Sequence, residues 1–185
     1  MNLKLQTIES APEASRPLLE GARKSLGFVP NLFAVFANSP AVLEAYQGLG
    51  AAYGKSSLSP AEQEIVTIAV SIENGCDYCV AAHTTIGQMR KVDAAVLGSL
   101  RDGAALEDPR HEALRRFALE VVRHRGWVPG EEQQAFLDAG FTPAQALEVV
   151  LGVTLKTLSN FTNHLATTPL DAAFSKNAWS AGVAA

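Results

Sequence analysis

The chain has 185 residues, of which 48% are hydrophobic and 18% charged, with a formal net charge of −4. That apolar fraction is enough for a packed core and argues against wholesale disorder. A mildly acidic balance without long basic runs excludes a nucleic-acid footprint. Two cysteines, Cys76 and Cys79, are too few for a disulfide-stapled secreted scaffold.

In chain order, the segment Met1 to Glu9 has neither an apolar h-region nor a small-residue cleavage site, so no signal peptide is expected. No stretch approaches the roughly 18–20 uninterrupted apolar residues that span a bilayer. The expectation is a cytoplasmic protein with no membrane association, and one domain over 1–185. Leu3 to Ala14 reads as an extended arm, Leu26 to Phe33 as a turn entering a short helix, and Asp102 to Pro109 as a connecting loop. The tail over 175–185 follows Phe174 and carries Trp179, so its aromatic part is expected to dock, with Ser180 to Ala185 frayed. Trp127 and Trp179 read as packing or interface anchors.

Prolines mark the helix starts. Ser39-Pro40, Ser59-Pro60, Asp108-Pro109, Thr142-Pro143 and Thr168-Pro169 each place an N-cap oxygen before a residue whose missing N–H had no intrahelical partner. Ser59-Pro60-Ala61-Glu62 and Thr142-Pro143-Ala144-Gln145 complete capping boxes. Between these starts the apolar period is helical, as in Ile65, Ile68, Ala69 and Ile72, or Leu114, Phe117, Ala118 and Val121. Ala146 to Leu158 carries a broader apolar surface, suited to a central helix or a subunit contact. No segment alternates as a strand does. The predicted fold is all-α, a compact bundle of roughly seven to nine helices.

The chemistry concentrates in one stretch. A helix is predicted from Ser59 to about Glu73, and Asn74-Gly75 then interrupts it. A second helix starts at once, with Asn74 or Gly75 near its N-cap. On that helix Cys79 lies about 300° and His83 about 340° around from Cys76, so all three fall within an arc of about 60°. Free N–H groups and the positive end of the helix dipole favour a thiolate there. His83 supplies a base or a cationic partner to Cys79. Glu64, on the preceding helix, can orient His83 if the break folds the two helices together. Thiolate, second thiol and proton-handling group are the parts of a thiol peroxidase or disulfide reductase. Zinc on Cys76, Cys79 and His83 would lack a fourth ligand, and a c-type haem would need His at position 80, which is Val80. No metal or other cofactor is expected. Glu62 reads as a capping residue and Glu73 as a solvated one.

Glu64, eleven intervening residues, Cys76-Asp77-Tyr78-Cys79 and then His83 resemble the core motif of the alkylhydroperoxidase D-like, carboxymuconolactone decarboxylase superfamily. Gly27-Phe28-Val29-Pro30-Asn31, Asn160-Phe161-Thr162-Asn163-His164 and Thr168-Pro169-Leu170-Asp171 resemble its peroxidase-related branch. The resemblance covers about Leu18 to Phe174. It implies an all-α homo-oligomer, a trimer or hexamer, that reduces organic hydroperoxides. It further implies Cys79 as peroxidatic thiol, Cys76 as resolving thiol and Glu64 with His83 as proton relay. A dithiol such as a lipoyl protein or thioredoxin would be the reductant. Tyr78 stands where the best-known members have histidine; a phenol cannot serve as a base near neutral pH, but it can donate a hydrogen bond. Tyr78 and His164 are supporting candidates. Two alternatives remain open here: a non-peroxidase redox sensor or dithiol interaction protein, and a decarboxylase-like enzyme using Glu64 and His83.

Overall fold

The computed structural model describes residues 3–180. Helix α4 (Pro60–Glu73) lies at the centre of the molecule because its sequence leaves almost no polar face outward. Ile65, Val66, Ile68 and Val70 are fully buried, and even Gln63, Glu64, Thr67 and Ser71 are covered. Its start is the expected capping box: the Glu62 N–H donates to Ser59 Oγ at 3.2 Å and the Ser59 N–H to Glu62 Oε2 at 2.7 Å. Around it pack α5 (Asp77–Met89), α6 (Ala94–Arg101), α7 (Pro109–Arg123) and α9 (Pro143–Ala166). Helix α8 (Gly130–Asp138) closes the far side against α7 through stacked Phe117, Phe136 and Phe141.

A second apolar cluster lies on the other side of the α4–α5 junction. Helices α1 (Arg16–Leu26), α2 (Asn31–Phe36) and α3 (Pro40–Tyr53) supply Leu19, Leu32, Phe36 and Leu43, which surround Cys76, Tyr78 and Cys79. The expected arm lies along α2, where the Gln6 N–H donates to Ala34 O at 3.1 Å and Asn38 Nδ2 to Lys4 O at 2.7 Å. Phe174 sits edge-on to Phe28 and Tyr78, and Trp179 Nε1 donates to Arg101 O at 3.0 Å. The tail therefore docks as expected up to that point; the fraying expected at the end concerns residues that, beyond Ser180, lie outside the described part.

The architecture is all-α, with nine α-helices and two short 3-10 turns among the described residues. None of these helices is long and apolar enough to cross a membrane. Four of the five proline starts open helices. Thr168-Pro169 does not: it is irregular chain, and Thr167 ends α9 in a left-handed conformation. There the Pro169 carbonyl accepts from Asn31 Nδ2 at 3.0 Å and the Asp171 carboxylate accepts from the Asn31 N–H, so the segment is tied to α2 in an irregular conformation. Trp127 is 87% exposed and packs into no core. Glu73 is not simply solvated, since Arg123 donates to both its oxygens at 2.9 Å.

Two glycines set the geometry of the centre. Gly75 has φ +65°, which lets the chain reverse between α4 and α5. Gly152 lets α9 press onto α3 and α4, because a Cβ there would stand 2.9 Å from both Tyr53 and Val66. Replacing Gly152 by Val should lower stability by about 1–3 kcal/mol through overpacking. Urea unfolding followed by circular dichroism measures this, and an unchanged midpoint would contradict the close approach.

Candidate active site

The break after α4 is held by α9. Asn74 Nδ2 donates to Asn160 Oδ1 at 2.9 Å, Asn160 Nδ2 donates to Ser71 Oγ at 3.3 Å, and the Cys76 N–H donates to Ser71 O at 2.8 Å. This hydrogen-bonded turn makes Cys76 itself the N-cap of α5, with φ −96° and ψ 93°. The expected N-cap at Asn74 or Gly75 is thus displaced by one or two residues. Because Cys76 is not in helical conformation, the shared arc expected for Cys76, Cys79 and His83 does not hold. Cys79 and His83 line one large cavity, whereas Cys76 lines a smaller one.

Both cysteines are free thiols, each 1% exposed. Cys79 occupies the first turn of α5 and faces α9. Asn163 Nδ2 donates to Cys79 Sγ at 3.2 Å and stands 3.7 Å from Cys76 Sγ; Ser159 Oγ is 3.7 Å from Cys79 Sγ. Lys156, one helical turn before Ser159, is also 1% exposed, and its ammonium faces Cys79 and Tyr46. Burial pushes the Cys79 thiol up, but the Cys76 thiol beside it, the Lys156 charge, His83 and Ser159 outweigh burial and hold Cys79 well below the usual thiol range. Cys76 shifts the opposite way: its hydrogen bond to Cys79, burial and the Cys79 charge all favour its protonated form. The lysine is likewise held charged: burial opposes its charge, but the Cys79 thiolate restores it.

Glu64 and His83 do meet. The His83 Nδ1–H donates to Glu64 Oε2 at 2.8 Å, which fixes the ring and leaves Nε2 as the nitrogen to exchange protons with the cavity. Thr67 Oγ1 donates to the same oxygen at 3.2 Å, and Arg90, just beyond α5, donates from Nη1 to Glu64 Oε1 at 2.8 Å. Burial pushes the Glu64 carboxyl up, yet His83 and Arg90 prevail and keep it below its ordinary value. Glu64 is therefore an ionised anchor for His83.

Tyr78 packs beside the thiols and lines both cavities. Its hydroxyl donates to Asp171 Oδ2 at 2.5 Å and accepts from the Leu32 N–H at 3.3 Å, tying α5 to α2 and to the tail. Burial and Asp171 push the phenol up, so it stays protonated. His164 is exposed near the end of α9 and touches the rim of the smaller cavity beside Cys76. Lys156, Ser159, Asn163 and Arg90 escaped the sequence reading. The first three are an i, i+3, i+7 set on α9, and a lysine within the apolar run Ala146 to Leu158 was the signal that could have found them.

The larger cavity, about 1040 Å³, has Phe28, Phe33, Tyr46, Ile86 and Phe174 in its apolar wall. Its polar end is Glu64, Cys79, His83, Arg90 and Lys156. Among the described residues no group of three or more His, Cys, Asp and Glu side chains is arranged to hold a metal ion.

Residues 40–120 match the Carboxymuconolactone decarboxylase family. The fold matches the alkylhydroperoxidase AhpD core of a peroxidase-related protein from Ralstonia eutropha JMP134, with a TM-score of 0.82 and 25% identity over 92% of each chain. By that family match and that fold, the chain resembles the alkylhydroperoxidase D-like, carboxymuconolactone decarboxylase superfamily. A peroxidase-related protein from Silicibacter sp. TM1040 is similar at a TM-score of 0.79 and 21% identity, over 94% of this chain and 92% of its own. The debrominase Bmp8, as a cysteine-to-alanine variant with 2,3,4-tribromopyrrole, has a similar fold at a TM-score of 0.76 and 17% identity, over 96% of this chain and 95% of its own. No curated protein matches the chain significantly.

A lowered Cys79 predicts iodoacetamide alkylation whose pH profile rises below the usual thiol range, because the thiolate forms there. Lys156→Met should cut the neutral-pH rate by about tenfold or more, as removal of an adjacent opposite charge does. Mass spectrometry of the alkylated peptide reads the site. A wild-type rate that climbs only through the ordinary thiol range would refute the lowered Cys79.

Proposed function

We propose that the chain is a thiol peroxidase that reduces organic hydroperoxides through Cys79 and Cys76. The observation that carries this reading is the buried Cys79 thiol, held toward thiolate by Lys156 and Asn163, at the wall of an apolar cavity and beside a second, protonated thiol. The Cys79 thiolate attacks the terminal oxygen of the hydroperoxide. The O–O bond breaks, and the departing alkoxide takes from His83 Nε2 the proton that the Cys79 thiol gave up on ionising, with Glu64 orienting the ring. Cys79 becomes a sulfenic acid. Cys76 then condenses with it, releasing water and forming a disulfide before over-oxidation. A dithiol, such as a lipoyl protein or thioredoxin, returns the pair to thiols.

The cavity's aromatic and aliphatic wall supports hydroperoxides with a bulky apolar body over hydrogen peroxide. A lactone reading with Glu64 as acid or base is weaker, since His83, Thr67 and Arg90 already hold its two oxygens. The same aromatic wall also suits a halogenated aromatic ring, a second reading that halide release would report. A cytoplasmic location and a homo-oligomer complete the proposal. Leu147, Val150, Phe161 and Leu165 are exposed along α9 and supply apolar surface for such a contact.

With cumene hydroperoxide and a dithiol regenerant, Cys79→Ser should abolish turnover, and Cys76→Ser should accumulate a sulfenic acid that dimedone traps. Full turnover in Cys79→Ser would sink the assignment. Glu64→Gln should lower kcat by about 10²-fold, on the scale of a lost acid–base contribution, with Cys79 alkylation still occurring. Activity retained in a Cys76/Cys79 double mutant would favour acid–base chemistry without thiols.

A further inference from the structure

The two thiols open onto different spaces. Cys79 lines the large apolar cavity, while Cys76 lines a separate pocket of about 220 Å³ between the α5 N-terminus and the end of α9. Its wall is mixed: Asp77, Asn163, His164, Thr167 and Thr168 supply polar groups, and Tyr78 stands between it and the large cavity. Two of its buried oxygens, Asn163 Oδ1 and Thr168 Oγ1, take no hydrogen bond from the described residues. Asn163 is 5% exposed, and its amide nitrogen is already committed to the sulfurs. Buried polar atoms in folded proteins are nearly always paired. An unpaired acceptor beside a thiol therefore points to a ligand that brings a donor.

We propose that this small pocket admits the thiol reductant, which attacks the Cys76 sulfur of the oxidised pair. The proposal rests on the reading above that the pair cycles through a disulfide. Displacement at sulfur proceeds in line, so a nucleophile striking Cys76 needs space beside Cys76 that Cys79 does not occupy; Cys76 lines the small pocket and Cys79 does not. A reductant thiol loses its proton to solvent and forms a bond to Cys76 Sγ. The Cys76–Cys79 bond breaks, and its electron pair leaves on Cys79. Of the two sulfurs Cys79 is the better leaving group, because Lys156 and the Asn163 amide stabilise its thiolate. The reductant's second thiol then attacks its own sulfur in the mixed disulfide and passes its proton to the released Cys76. Two electrons have moved to the protein, and the reductant departs as a disulfide. Because Cys76 is 1% exposed behind a narrow pocket, the fitting reductant is a slender thiol-bearing arm, not a broad protein face. Oxidant and reductant thus reach the same pair from two separate openings.

The test separates the half-reactions. The disulfide is formed with diamide, so its reduction can be followed whether or not a hydroperoxide is the natural oxidant. Thr168→Met fills the pocket, and reduction by dithiothreitol should slow at least tenfold. Oxidation of the reduced protein by cumene hydroperoxide should change less than twofold. An unchanged reduction rate, or an equal slowing of both half-reactions, would overturn the assignment. A second measurement needs no variant: excess 2-mercaptoethanol is added to the oxidised wild-type protein, and the mixture is quenched with N-ethylmaleimide. Fragment masses should place the mercaptoethanol adduct on Cys76, and an adduct on Cys79 refutes the proposal. If cumene hydroperoxide fails to oxidise the protein while the adduct still maps to Cys76, the peroxidase reading falls and the reductant pocket stands.

Discussion

A lysine ammonium buried inside a helical core is the constraint on which this molecule turns. Moving a charge out of water is costly unless a partner of opposite charge meets it, and the partner of Lys156 is the Cys79 thiolate. Neither group is stable in its charged form alone at that depth; together each holds the other's charge. The pairing needs α9 and the start of α5 to press together, elements far apart in sequence. Gly152 lets α9 lie close on α3 and α4, and the Asn74–Asn160–Ser71 bonds hold the α4–α5 junction against α9. The same packing brings Asn163 and Ser159 to the sulfur. Reactivity and packing are here one fact: removing water from the site strengthens the electrostatics that keep the nucleophile ionised.

The carboxylate of Glu64 illustrates how neighbours choose a role. In isolation with His83 it could share the proton and act as a base. Arg90 adds a positive charge on its other oxygen, and Thr67 a further donor. The carboxylate stays ionised, and its work becomes orientation of the imidazole. On the proposed reading the proton is handled by His83, whose second ring nitrogen is not held by Glu64 and which lines the cavity alongside Cys79.

Tyr78 has been turned to architecture. Its ring lines both cavities, while its hydroxyl ties α5 to α2 and to Asp171 of the tail. Phe174, held by that same tail, covers Tyr78 and Phe28 and lines the large cavity. The apolar chamber is therefore built by the N-terminal helices and the tail, while the reacting groups come from α4, α5 and α9. Changes in the chamber wall can alter which molecule fits without disturbing the ion pair.

By itself the sequence determined the helices, the break at Asn74-Gly75 and the residues Glu64, Cys76, Cys79 and His83 of the site. Caps, proline starts and apolar periodicity are local signals, readable within a turn or two of chain. Local angles also led astray: treating Cys76 as helical placed three side chains on one arc, but an N-cap residue does not obey helical spacing. Thr168-Pro169 also failed as a helix start: Asn31 and Tyr78, distant in the chain, tie that segment down in an irregular conformation. Only the tertiary structure decided that Lys156, Ser159 and Asn163 meet the thiols, that Arg90 neutralises Glu64, and that the two sulfurs face separate openings. Those facts depend on which faces of helices remote in sequence pack together, and periodicity defines a face without naming its partner.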